Sequence, residues 1–152
     1  MNRGHRARLY PTPDQALALG RWAGCARLLW NVALDQRRWG RGLRPSKISQ
    51  CRELTGLRAE FDWLAELPAQ AAQQVFAELD LAFQRCWKGL AHYPRRKKKG
   101  RSAAVLRFPR GIGARRLNKR WGEVKLPKLG WLRFRWTREL SRTPRATCRA
   151  CG

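Results

Sequence analysis

The hydrophobic period of this chain changes at Tyr93-Pro94, and that change constrains its fold more than any other feature. From Pro68 onward, Ala72, Val75, Phe76, Leu79, Ala82, Phe83, Cys86, Trp87 and Leu90 recur at three- and four-residue spacing. That spacing predicts a helix with one apolar face, leaving Gln70, Gln73, Gln74, Arg85 and Lys88 on the other. Tyr93-Pro94 ends it, and a basic run follows. Beyond the run, Ala104–Phe108, Glu123–Leu126 and Trp131–Trp136 alternate as strands do, with Lys128-Leu129-Gly130 as a tight turn between the last two. Helices up to one point and strands after it make an α+β chain.

The first part opens on a basic strand over residues 3–10, closed by Pro11. Thr12-Pro13-Asp14-Gln15 predicts a helix start: Thr12 as N-cap, Pro13 at N1, Gln15 completing a capping box. Leu17, Trp22, Cys25, Leu28, Leu29 and Val32 follow at near-helical spacing, and Gly24 is expected to bend or split this helix. Residues 39–45 read as a loop, and Ser46 as the cap of a helix through about Leu57. The first strand is expected to pair with the late strands in a small barrel, with about four helices inserted between them.

Charge divides the chain at the same point. Residues 1–94 carry 14 basic and 8 acidic side chains, while residues 95–152 carry 20 and 2, so most of the +24 net charge lies in the last third. Such a segment repels itself unless a polyanion neutralises it, and nucleic acid is the expected polyanion. No apolar run approaches the roughly 20 residues that cross a bilayer, and Met1–Pro11 has no apolar core of a signal peptide. A membrane partner is not expected. The five cysteines are odd in number and irregularly spaced, which fits a reducing, cytoplasmic setting.

Basic and aromatic residues interleave from Arg107-Phe108 through Arg120-Trp121 and Trp131 to Arg133-Phe134-Arg135-Trp136. Arginines would release counterions from phosphates, and exposed rings would stack on unpaired bases. On the last strand, Leu132, Phe134 and Trp136 are expected on the core face, Arg133 and Arg135 on the wet face. The run Arg95, Arg96, Lys97, Lys98, Lys99, with Arg101, is a solvated loop or a nucleic-acid contact. If the first helix splits at Gly24, residues 25–38 could act as the second helix of a helix-turn-helix, exposing Arg27, Asn31, Asp35 and Arg38. Cys148 and Cys151 form half of a zinc knuckle, and His5 and His92 are not spaced to complete it, so no metal or other cofactor is expected. No carboxylate pair or nucleophile–base set suggests catalysis.

Four strings in this order, RLYPTPDQ (8–15), GCARLLWN (24–31), YPRRKKKG (93–100) and LPKLGW (126–131), resemble the N-terminal part of the OrfB/TnpB proteins of bacterial and archaeal insertion sequences. The likeness covers roughly residues 3–140 and includes WLAELPAQAAQQVFAELDLAF (63–83). The resemblance implies a wedge-like barrel with an inserted recognition lobe, together gripping a guide RNA from the transposon end and reading a short motif beside a DNA target. It places Gln73 toward that motif, and Arg8, Tyr10, Lys97, Lys98, Lys125 and Lys128 on RNA. Beyond Trp136 the pattern departs before the family's RuvC-like nuclease and its zinc ribbon.

The resulting expectation is a partial wedge-like β-barrel from residues 1–11 and 95–140, a helical recognition lobe over 12–94, and a divergent tail over 141–152. The expected function is a truncated, non-cutting, transposase-associated protein that binds RNA and adjacent DNA, without a small-molecule substrate. An open sheet edge would favour self-association. The other two readings are a helix-turn-helix regulator of transposition and an inactive remnant of a decayed transposase gene.

Overall fold

The computed structural model describes residues 6–39, 45–102, 104–140 and 146–150. The expected strand residues 3–5, His5, residues 40–44 of the expected loop, and Cys151 lie outside them. The order is β1 (Leu9–Tyr10), α1 (Pro13–Trp39), α2 (Lys47–Glu60), α3 (Asp62–Ala65), α4 (Ala69–Trp87), β2 (Ala104–Phe108), β3 (Gly113–Arg116), β4 (Trp121–Leu126), β5 (Gly130–Arg135) and β6 (Ala146–Ala150).

Helix α1 starts as its sequence dictates. The Gln15 backbone N–H donates to Thr12 Oγ1 at 3.4 Å, and the Thr12 N–H donates to Gln15 Oε1 at 3.0 Å. The helix then runs unbroken through Gly24. A mid-helix glycine costs about 1 kcal/mol relative to alanine, and burial on both sides of it outweighs that. The buried stripe is Trp22, Ala23, Cys25, Ala26, Leu29, Trp30, Ala33 and Leu34. The expected stripe is thus rotated: Leu17, Leu28 and Val32 are exposed.

Ser46 and Ser49 close a capping box at the head of α2, each hydroxyl accepting the other's backbone N–H. The Arg58 guanidinium donates to the carbonyls of Leu64, Ala65 and Leu67, closing the turn that leads to Pro68. Helix α4 buries Ala71, Ala72, Val75, Phe76, Leu79 and Phe83. Trp87 and Leu90, expected on that face, are each 75% exposed. The helix ends at Trp87, and Gly89, at φ +71°, turns the chain away from the core.

The described strands form two antiparallel sheets rather than a closed barrel: a four-stranded one in the order β1-β5-β4-β3, and the pair β2-β6. The first strand does pair with a late one, Leu9 opposite Phe134 and Tyr10 opposite Arg133. Within the expected tail, β6 pairs with β2, Cys148 opposite Leu106 in a five-residue ladder. Leu106 and Phe108 of β2 pack on α1 and α4. Leu126 and Leu132 of the larger sheet join the same hydrophobic cluster. No described helix is long and apolar enough to cross a membrane.

The turn between β4 and β5 explains LPKLGW. The Leu129 N–H donates to the Leu126 carbonyl at 3.3 Å, with Pro127 and Lys128 at the centre. Lys128 takes φ +62°, which a type II turn demands at its third position. Gln15 Nε2 donates to the carbonyls of Leu129 and Trp131, at 3.3 and 3.0 Å, clamping this turn to the head of α1. Lys128 Nζ donates to the Ala65 carbonyl at 2.6 Å.

Candidate nucleic-acid interface

Side chains alternate across the four-stranded sheet, so register decides which residues share a face. Leu9, Val124, Leu126, Leu132 and Phe134 point inward. Tyr10, Trp121, Glu123, Lys125, Trp131, Arg133, Arg135 and Arg115 share the outer face by their pairings. Trp136 follows the strand on the inner side, half-buried against Phe134 at 5.7 Å, and so is not fully core.

Guanidinium groups and rings alternate on this outer face. The Arg8 guanidinium lies 5.6 Å from the Tyr10 ring centre. Tyr10 meets Trp121 edge-on at 5.3 Å, and Arg135 lies 5.3 Å from Trp121. Arg115 covers Trp131 at 4.1 Å. Glu123 accepts both Nε and Nη2 of Arg115, at 2.8 and 2.6 Å, and lies 3.8 Å from Arg133. Among the described residues, no carboxylate pairs with Arg8, Lys125 or Arg135.

The basic run is held by GCARLLWN. Trp30 Nε1 donates to the Arg95 carbonyl at 2.9 Å. The Asn31 amide donates to the Lys97 carbonyl at 3.0 Å and accepts the Lys97 N–H at 2.8 Å. Arg96 pairs with Asp35 at 2.6 Å. Lys97 Nζ sits 4.0 Å over the Trp30 ring. Burial pushes the Lys97 ammonium below the usual lysine range; Glu78 raises it back in part, and Arg107 lowers it further. The exposed cations of the run are therefore Arg95, Lys98, Lys99 and Arg101, with no ion pair among the described residues.

This geometry corrects the expected DNA-reading face. Residues 12–38 hold one helix, not two, and Asn31 and Asp35 are engaged by the basic run rather than open to base edges. Arg27 is half-buried on α1, and Gln73 is exposed on α4. Arg115 joins the outer face although no sequence pattern marks it. Gly113–Arg116 carries no β-branched run, so its strand is silent in sequence, and only its register beside Glu123 reveals Arg115. Among the described residues, no three His, Cys, Asp or Glu side chains gather as a metal site.

The family model HTH_OrfB_IS605, described as a helix-turn-helix domain, matches residues 1–42. The described part of that stretch contains β1 and the unbroken α1. Two relatives carry the name "Putative RNA-guided DNA endonuclease". One is InsQ of Escherichia coli (strain K12), 30% identical over 138 residues, which are 88% of this chain and 33% of that protein. The other, of Streptomyces pristinaespiralis, is 32% identical over 146 residues, 92% of this chain and 35% of that protein. A third relative, virulence protein VsdF of Salmonella dublin, is 30% identical over 113 residues, 65% of this chain and 95% of that protein. The chain spans about a third of the length of the first two.

A basic mixed helix-and-sheet chain with these matches is a transposase-associated protein. It belongs to the OrfB/TnpB family.

Proposed function

We propose that this chain binds nucleic acid, single-stranded RNA ahead of duplex DNA, through the outer face of the four-stranded sheet and the exposed cations of the basic run. The observation that carries this reading is the succession Arg8, Tyr10, Trp121, Arg135 across β1, β4 and β5. Guanidinium groups supply phosphate contacts and rings supply stacking for unpaired bases. The names of the two long relatives support a guide-type RNA as ligand, with adjacent DNA as the second. In this reading residues 1–11 and 95–140 grip RNA, and residues 12–94, with Gln73 exposed on α4, face the DNA.

We assign recognition, not cutting, to this stretch. Five of its ten carboxylates are held in ion pairs, Glu123 with Arg115, Glu78 with Arg107, Asp80 with Arg37, Asp35 with Arg96 and Glu66 with Arg21, and among the described residues no three His, Cys, Asp or Glu side chains cluster. A two-metal nuclease needs clustered carboxylates free to bind cations. Metal-dependent cleavage by the purified chain would overturn this assignment.

The test is fluorescence anisotropy with a single-stranded RNA from the transposon end and a duplex DNA of equal length, each across a salt series. The expected result is tighter RNA binding, weakening steeply with salt. Tighter binding of the duplex would favour a regulator of the helix-turn-helix type, and no binding of either would favour an inactive remnant.

A further inference from the structure

A cleft of about 610 Å³ opens where the end of α1 meets the chain leaving α4. Its lining is Leu34, Arg38, His92, Tyr93, Pro94, Arg95 and Arg96. Sites for small organic ligands occupy roughly 300–1,000 Å³. The walls are fixed before any ligand arrives. The Arg95 carbonyl is held by Trp30, the Arg96 guanidinium by Asp35, and Tyr93 stands edge-on against Phe83 at 5.3 Å.

The chemistry of the lining is specific. Asp35, the nearby acid, is already engaged by Arg96. Among the described residues, no carboxylate pairs with Arg38 or Arg95, so two guanidinium groups stand unneutralised. Tyr93 keeps 48% of its surface exposed despite Phe83. Leu34 and Pro94 are buried and give the cleft an apolar floor. A phosphate suits the two arginines, and a planar base suits the ring and the floor. A base within a duplex is stacked on both sides and cannot enter.

We propose that this cleft seats one unpaired nucleotide of a bound single strand, its phosphate on Arg38 and Arg95 and its base on Tyr93. This rests on the reading of the chain as a nucleic-acid binder, but not on the sheet face being the contact.

The full chain is titrated with an RNA hexamer carrying 2-aminopurine, read by anisotropy and by quenching of the base. Arg38→Gln with Arg95→Gln should weaken binding at least tenfold more than Lys47→Gln with Arg52→Gln, which removes equal charge from exposed positions on α2. Tyr93→Leu should abolish quenching while retaining part of the affinity. Circular dichroism confirms that each variant is folded. If the cleft and α2 variants behave alike while Arg8→Gln with Arg135→Gln weakens binding, the cleft proposal fails and the sheet reading stands. Adenosine 5′-monophosphate competing as well as the hexamer would show a free-nucleotide site and overturn the proposal as stated. Absence of hexamer binding to the native chain would overturn both.

Discussion

Asn31 and Lys97 exchange two hydrogen bonds, 66 residues apart in sequence: the side-chain amide gives one to the Lys97 carbonyl and takes one from its N–H. An asparagine side chain ends in an amide, with donor and acceptor on separate atoms as in a peptide group, so it mimics one step of a β-ladder. The pair fixes a segment that makes no regular structure of its own and carries the densest charge in the chain.

Replacing Asn31 with Leu leaves both Lys97 backbone groups without these partners. Stability should fall by about 1–3 kcal/mol, read by urea denaturation. Trypsin should also cut faster after Arg95 to Lys99. Unchanged cleavage would mean that Trp30 and Asp35 hold the segment without Asn31.

Gly122 sits beneath Trp136. A Cβ there would lie 2.4 Å from Trp136 Cε3 and 3.1 Å from the Arg115 carbonyl oxygen. Gly122→Ala should cost about 1–3 kcal/mol through overpacking, and adding Trp136→Ala should recover part of it. A thermal melt of both variants checks this, and an unaltered melting point for Gly122→Ala would refute the close approach.

Gln50 is a buried polar residue that joins α1 to α2. It accepts from Arg37 Nε and Nη2, at 3.1 and 3.0 Å, and donates to the Ala33 carbonyl and Gln36. Arg37, largely buried, is left with Asp80 when Gln50 becomes Leu. The expected loss is about 1–3 kcal/mol for the unsatisfied donors, and denaturation should show Gln50→Glu milder than Gln50→Leu.

On the sheet face, Arg8→Gln and Arg135→Gln should each flatten the dependence of RNA affinity on salt, by about 0.7 in logarithmic slope for each phosphate no longer neutralised. Folded stability should change little, because both side chains are exposed. An unchanged slope would remove the outer face from the interface.

Burial in the β2–β6 pair pushes the Cys148 thiol up to about 11 from 9.0. The unfolded thiol loses its proton near the lower value while the folded one keeps it. The stabilising contribution is therefore full below about pH 9 and lost as pH rises toward 11. The stability gap between the native chain and Cys148→Ala should shift against the native chain across that window. A constant gap would show that the thiol is open to water.

The sequence by itself determined what local physics can fix. Hydrophobic period set α4 and the late strands, and cap chemistry set the heads of α1 and α2 at Thr12 and Ser46. Charge asymmetry and the ordered strings pointed to nucleic acid and to the family. Helical spacing could not set the exact rotation of α1: Leu17 and Val32 fit it as well as Ala33 does, and only packing against α4 and β2 selects between them. Nor could local propensity say whether Gly24 breaks a helix, because its small cost is outweighed by burial that depends on partners far along the chain. The sheets, the strand at Ala146–Ala150, the locking of the basic run by Trp30 and Asn31, and the interleaving of Arg8, Tyr10, Trp121 and Arg135 were decided by tertiary structure alone. Each joins residues whose separation in sequence carries no periodic signal, and strand register places them side by side.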